Sequence, residues 1–416
     1  MIPIEKAIEL ILKEITPLGL EKIDILNSLG RVAAEDIYSK RDIPSFDNSA
    51  MDGYAVRFID IKGASHDNLS ILNVIEDIPA GYTPNRFVSK GEAVRIMTGA
   101  PVPQGADTVV MVEDTEKDGD TVKIFRETRK GRNIRRAGED VKAGDLVMSR
   151  GTLLRSAEIG MMASVGRSFI SVYQVPRVAI LSTGDELVDV DGRLNGAKII
   201  STNSYTLISQ VKECNAIPIY LGIARDTKEE IKEKLKEGKH ADIIISSGGV
   251  SVGDYDLVKD VLKEIGADIR FWKVAMRPGQ PLAFGVIGRK PIFGLPGNPV
   301  SSMVSFEQFI RPSILKMSGF KHIFRPVIDA VLKEDIYQKR GRKRLLRSIV
   351  SLEDGEYYVR LTGEQGSGIL MSMVKSNGLI IIPEEGADFK AGEKVRVQLL
   401  NRDFELSEEP GYASVE

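Results

Sequence analysis

The chain has 416 residues, 42% of them apolar, which suits two to four soluble domains, each with its own core. Lys+Arg 57 against Asp+Glu 59 leaves a net charge of −2, so no global basic field recruits nucleic acid. One cysteine and three histidines exclude an internal disulfide and a cysteine cage, and speak against zinc or haem chemistry. No apolar run is long enough to span a bilayer, and the N-terminus lacks a basic start and a cleavage site. A reducing, cytoplasmic setting is expected, with no membrane partner.

Ile4, Ala7, Ile8, Ile11, Leu12 and Ile15 recur at helical spacing, and Thr16-Pro17 closes that first helix. The stretch SFDNSAMDGYAV (45–56) is dense in Asp, Asn, Ser and Gly, hence a loop, and runs into a strand. Short β-like runs follow, Ile71–Ile75, Ala93–Met97, Thr108–Val112 and Val122–Phe125. Within them RIMTGAPVPQGAD (95–107) places Thr98 directly after a strand, and GRNIRRAGED (131–140) brings Arg132, Arg135 and Arg136 up to Glu139 and Asp140. Such arginines form a surface ion-pair cluster or hold a phosphate bidentately. Ser156 suits the N-cap of a helix over Ala157–Val165.

From Pro176 strands and helices alternate, the signature of an open, largely parallel sheet with helices on both faces. Asn203 or Ser204 can cap one helix, and Thr227 with Glu230 forms a capping box for another. A last helix is expected over 299–317. Ligands of such sheets bind at the strand carboxyl ends, where four polar turns fall: 183–186, 224–227, 246–256 and 294–302. The third, in ADIIISSGGVSVGDYD (241–256), runs from a buried strand through Ser247, Gly248, Gly249, Ser251 and Gly253 to Asp256 and a helix. It suits a phosphate with a divalent cation beside it, and equally a tight turn with an Asp N-cap. It is neither a Walker A loop nor G-x-G-x-x-G. After about 320 the pattern reads as short strands, among them Val331–Ile336, of a small barrel whose turn GEQGSG (363–368) carries Ser367.

PSFDNSAMDGYAV, RIMTGAPVPQGADTVVMVED, STGDEL, ISSGGVSVGD and GLPGNPVSS, in this order, closely resemble the molybdopterin molybdenumtransferase family, the MoeA proteins and the E domain of gephyrin. The resemblance runs from about residue 3 to 400. It implies insertion of molybdate into adenylylated molybdopterin with release of AMP, assisted by Mg²⁺, in a homodimer whose sites lie between the third domain of one subunit and the second of the other. It also implies four domains, drawn here as a mixed N-terminal domain (1–46 and 137–175), an inserted β-rich domain (47–136), an α/β domain (176–319) and a C-terminal β-barrel (320–404). The α/β domain is shared with the molybdopterin adenylyltransferase, a candidate partner.

Position by position, the resemblance points to Asp52 and Thr98 as cleft residues, and to Arg135 and Asp140. Glu186, Asp226 and Asp256 are its acidic, metal-associated positions, and Asp52 joins them as a catalytic carboxylate. Lys273 and Arg277 face the anionic substrate or molybdate. Pro296, Asn298 and Pro299 shape one loop, and Ser367 comes from the barrel. One departure stands out: the bacterial pattern has lysine at 277 and 280, where this chain has Arg277 and Gln280. For Asp226 a helix cap, and for Asp140 an ion pair with Arg135, are the competing roles. A non-catalytic pterin carrier, a scaffold and a tungstate-inserting transferase are the alternative functions.

Overall fold

The computed structural model describes residues 1–249, 257–338 and 340–406. Two compact units divide the chain: Met1–Lys22, Gly30–Ala34 and everything from Ser171 onward form one, and Ile23–Leu29 with Glu35–Ile170 the other. Residues 137–170 therefore cluster with 47–136.

In the first unit the opening helix α1 (Ile4–Glu14) buries Ile4, Ala7 and Ile11, one face of the predicted spacing. In the second unit, six strands form one curved sheet: β1 (Gly53–Val56), β2 (Ser70–Ile78), β3 (Glu92–Ile96), β4 (Thr108–Met111), β5 (Thr115–Asp118) and β6 (Thr121–Ile124). Their order is β4-β1-β3-β2-β6-β5. Tyr54, Val56, Leu72, Val110 and Val122 fill one face, and Ala55, Ile78, Val94, Ile96 and Val109 the other, as period-two alternation requires.

Helix α2 (Ser156–Ser164) starts with Ser156 as its first helical residue, so Arg155, not Ser156, occupies the cap position. Glu158 accepts the Arg155 backbone N–H at 3.0 Å and its guanidinium at 2.7 Å. This Arg155 bond, chiefly, holds the Glu158 carboxyl well below its usual range, at about 2. A depressed carboxyl contributes stability that is complete above the unfolded value, near 4.5, and is lost as pH falls toward the folded one. Glu158→Gln is expected to destabilise this unit by about 1 kcal/mol at pH 7 and to converge with the parent near pH 2. Urea melts across that pH range check it, and a constant difference at every pH would refute it.

The α/β part contains β7 (Arg177–Thr183), α3 (Thr202–Glu213), β8 (Ile217–Ala224), α4 (Lys228–Glu237), β9 (Ile243–Ser247), α5 (Leu257–Glu264), β10 (Asp268–Lys273), β11 (Met276–Arg277), β12 (Pro281–Ile287) and β13 (Lys290–Leu295). Six of these strands make a sheet in the order β8-β7-β9-β13-β12-β10. The first four run parallel, while β12 pairs antiparallel with β13 and β10 antiparallel with β12 at one end. Alternation along the strands builds two cores. Val178, Ile180, Ile243, Ile245 and Phe293 face α1, α3 and the last helix, while Ala179, Leu181, Ile244 and Ile292 face α4 and α5. Each large apolar side chain so buried contributes roughly 1.5–3 kcal/mol.

The last helix is α6 (Pro299–Ser305), a π-helical turn (Phe306–Ile310) and α7 (Arg311–Met317) in sequence. Pro312 explains the interruption: it lacks the N–H that would bond the carbonyl four residues back, and the wider turn before it absorbs the mismatch.

Five strands then close a barrel, β14 (Val327–Leu332), β15 (Lys343–Glu353), β16 (Glu356–Leu361), β17 (Gly378–Ile382) and β18 (Lys394–Leu399), through a β15–β17 pairing. The expected strand Val331–Ile336 is instead β14 and a separate strand Ile336–Gln338. Lys333-Glu334-Asp335 break it, and Asp335 turns to accept the Ala391 N–H at 2.9 Å.

Candidate functional site

The polar turns of the α/β part meet at the carboxyl ends of the parallel strands. Registers Thr183↔Ala224, Ser182↔Ser247 and Ser247↔Leu295 bring four strand ends level, and Gly184 and Gly248 donate to the carbonyls of Ala224 and Leu295 at 3.1 Å. They border a cleft of about 580 Å³ lined by Thr183, Glu186, Asp226, Ser247, Gly248 and Gly249, and further by Asn203, Pro296, Asn298 and Pro299.

Asn203 is not a cap. Ser201 holds that position, and Asn203 instead donates to Ser247 Oγ at 2.7 Å and to the Gly297 carbonyl at 2.8 Å. One buried amide thus pins two of the turns together. Its own Oδ1, and Thr183 Oγ1, are buried without a hydrogen-bond partner, and both residues line the cleft. Orphaned buried acceptors at a cleft wall suit a ligand's donors. Asn203 was legible only as a cap signal, since nothing local in a helix start reveals a partner 44 residues away.

Gly248 adopts φ +96°, and a side chain there would meet the Thr183 carbonyl at 2.3 Å. Its N–H is committed to Leu295, however, so the turn offers fewer free donors than the glycines alone suggest. The start of α6 is similarly occupied, because Val300 N–H donates to the Ser367 carbonyl at 3.1 Å. That bond ties the barrel turn to the loop of Pro296, Asn298 and Pro299.

Glu186 and Asp226 stand on the same wall. Thr227 caps α4 through its hydroxyl, so Asp226 is not the cap that its position allows. Burial first, then the charges of Asp185 and Glu186, push the Asp226 carboxyl above its usual range, against an opposing hydrogen bond from the Asp185 backbone. Ser251, Gly253 and Asp256 lie outside the described residues.

A second cavity of about 260 Å³ adjoins the cleft through Pro281, Pro296 and Asn298. It is lined by Arg277, Gln280, Arg342, Arg344, Arg347 and Ser367, with no carboxylate among the lining residues. Arg347 is 1% exposed, donates to Ser372 Oγ and the Gly366 carbonyl at 3.1 Å, and is pushed down to about 10 by burial. Lys273 is exposed and lines neither cavity. Nothing in the sequence singles out Arg342, Arg344 and Arg347, because a run of basic residues is most often solvated surface.

In the other unit, Asp52 Oδ1 accepts both the backbone N–H and the hydroxyl of Thr98 at 2.7 Å. Those two bonds hold its carboxyl below the usual range. Ser49 locks the two loops, its N–H bonding the Ala100 carbonyl at 3.0 Å and its carbonyl taking the Gly99 N–H at 2.8 Å. Arg135 pairs with Asn48 in a short antiparallel bridge. Among the described residues Asp140 makes no ion pair with Arg135; Arg136 pairs with Asp47 instead.

A doubly wound sheet with a polar cleft at its strand ends, continued by a guanidinium-lined cavity beside a barrel, defines a multidomain α/β enzyme for an anionic ligand. Residues 2–166 match the MoeA N-terminal region (domain I and II), 179–316 a "Probable molybdopterin binding domain" and 329–400 the MoeA C-terminal region (domain IV). The molybdopterin molybdenumtransferase of Nostoc sp. is 38% identical over 91% of this chain and 88% of its own length. That of Haemophilus influenzae is 38% identical over 92% and 95%. The crystal structure of the molybdopterin biosynthesis moeA protein from Pyrococcus horikoshii superimposes with a TM-score of 0.82 at 32% identity, covering 96% of this chain and all of that one. The chain belongs to the molybdopterin molybdenumtransferase family.

Proposed function

We propose that the chain inserts molybdate into adenylylated molybdopterin and releases AMP, the last step of molybdenum cofactor synthesis. The observation that carries this reading is one continuous groove, with the carboxylates Glu186 and Asp226 at one end and a carboxylate-free arginine cavity at the other. The acidic end suits a phosphorylated ligand only if a cation stands between. Among the described residues no three metal-capable side chains cluster. Mg²⁺ nonetheless fits, since it takes one or two carboxylates and completes its shell with waters and substrate phosphates. Glu186 and Asp226 would hold it, with Asp256 the third expected ligand. Bound there, it would neutralise charge on the pyrophosphate oxygens.

The chain's own groups position the reactants. Asn203 and Thr183 present acceptors to the pterin end, and Arg277 with its neighbours holds the tetrahedral oxyanion. Burial pushes the Cys214 thiol up to about 12, so it is no nucleophile, and the reaction rests on orientation and electrostatics. The working form in this reading is a cytoplasmic homodimer supplied by a molybdopterin adenylyltransferase.

Incubating the full chain with adenylylated molybdopterin, molybdate and Mg²⁺ is expected to release AMP in a molybdate-dependent way, and chelation is expected to stop it. Tight substrate binding with no AMP release would replace this reading with a carrier. Running the assay with molybdate and tungstate, each limiting, decides which anion is used.

A further inference from the structure

Residues 126–136 of the second unit carry six basic side chains, Arg126, Arg129, Lys130, Arg132, Arg135 and Arg136, against one acidic one, Glu127. Three of the six are neutralised: Arg126 pairs with Asp114 at 3.6 Å, Lys130 with Asp107 at 3.4 Å, and Arg136 with Asp47. Among the described residues the guanidinium groups of Arg129, Arg132 and Arg135 make no ion pair or hydrogen bond, and all three residues are exposed. Their backbone is fixed. The Arg129 carbonyl takes the Arg132 N–H at 3.1 Å, closing a turn, and the Arg132 carbonyl takes the Val109 N–H of β4 at 3.1 Å. The next carbonyl, of Asn133, takes the Ala50 N–H at 2.9 Å, and Ile134 pairs with Ser49. The basic turn is thereby built onto the loop that carries Asp52.

We propose that Arg129 and Arg132 form a steering surface that draws the polyanionic substrate onto the Asp52 loop. The proposal rests on the function proposed above, and adds a part of the chain that sets the rate of substrate arrival. An adenylylated, phosphorylated pterin carries several negative charges, and the Asp52 carboxylate by itself repels it. Uncompensated cations held on a fixed turn beside that carboxylate reverse the local sign, and fields of this kind raise association rates about 10- to 1,000-fold. Their reach is a Debye length, about 10 Å at 0.1 M salt, so contiguity with the Asp52 loop is what makes these two arginines effective. Arg135 stands in the stretch already read as substrate-binding; Arg129 and Arg132 lie outside it and act at a distance, before contact.

The test measures association of adenylylated molybdopterin with the full chain by stopped-flow pterin fluorescence, from about 0.02 to about 0.5 M salt, beside steady-state AMP release. The double variant Arg129→Gln, Arg132→Gln is expected to slow association about 3- to 10-fold at the lowest salt, to match the parent at the highest, and to keep kcat unchanged. Arg129→Glu with Arg132→Glu should slow it further. Arg129→Lys with Arg132→Lys should restore the parent rate, because steering counts charge and not the planar fork. Lys236→Gln with Arg396→Gln, which removes the same charge from exposed positions on α4 and β18, should leave rate and salt slope unchanged. Parent-like association by both the Gln and the Glu pairs overturns the proposal while leaving molybdate insertion standing. A lysine pair as slow as the glutamine pair overturns it too, since the arginines would then be direct contacts. Salt-dependent, arginine-dependent association without AMP release supports the steering surface and overturns the insertion reading.

Discussion

Replacing Glu186 with alanine is expected to cut AMP release by at least about 100-fold, roughly 2.7 kcal/mol of barrier, and to leave the fold intact. The two halves of that expectation have separate grounds. Glu186 is exposed at the cleft wall, and among the described residues its carboxylate makes no ion pair or hydrogen bond, so removing it breaks nothing structural. Exposed substitutions of this kind stay within roughly 0.5 kcal/mol. Burial first, and then the charges of Asp185 and Glu186, already raise the Asp226 carboxyl, so a cation beside the two carboxylates would be favoured. Deleting one carboxylate therefore halves the pair proposed to hold the cation. Steady-state AMP release beside a thermal melt separates the cases: a fully active Glu186→Ala chain refutes the role, and an unfolded one refutes the structural half.

The largest effect on stability is expected at Gly53→Ala. Gly53 pairs with Ile96 on one side and Met111 on the other, in the middle of the curved sheet. A Cβ there would sit 1.9 Å from the Val110 carbonyl oxygen and 2.9 Å from its carbon, both backbone atoms. No rotamer change clears such a clash, so β4 must part from β1. The expected cost is roughly 3 kcal/mol or more, at the upper end for overpacking. The disturbance reaches Asp52 directly, because its carbonyl accepts the Val112 N–H at 3.0 Å and its carboxylate is fixed by Thr98. Hydrogen exchange is expected to speed up across residues 35–170 while the α/β part keeps its protection. A Gly53→Ala chain that exchanges and melts like the parent would refute this reading. On this reading the glycine in the MDG segment is a packing requirement.

The alternation of strands and helices after Pro176, the helical spacing of Ile4, Ala7 and Ile11, and the short strands of the barrel were all legible, because each is a periodicity written into consecutive residues. Errors came where a local signal had a distant competitor. Asn203 carries the chemistry of a cap, yet its amide bonds Ser247 and Gly297. Asp226 sits where a cap belongs, but the Thr227 hydroxyl takes the bond. The 299–317 helix reads as continuous, while the π turn before Pro312 depends on how its backbone closes.

The sequence by itself determined the family, the sheet with its two apolar faces, and the glycine-rich turns at its strand ends, since these follow from period, turn chemistry and ordered motifs. Only the tertiary structure decided which side chains share a cavity. It turned the Lys339–Arg347 run, a charged stretch like many others in sequence, into three guanidinium groups lining a pocket with Gln280 and Ser367. The physical reason is that strand pairing and barrel closure set these neighbours, and residues 277, 342 and 367 hold no information about one another until the chain has folded.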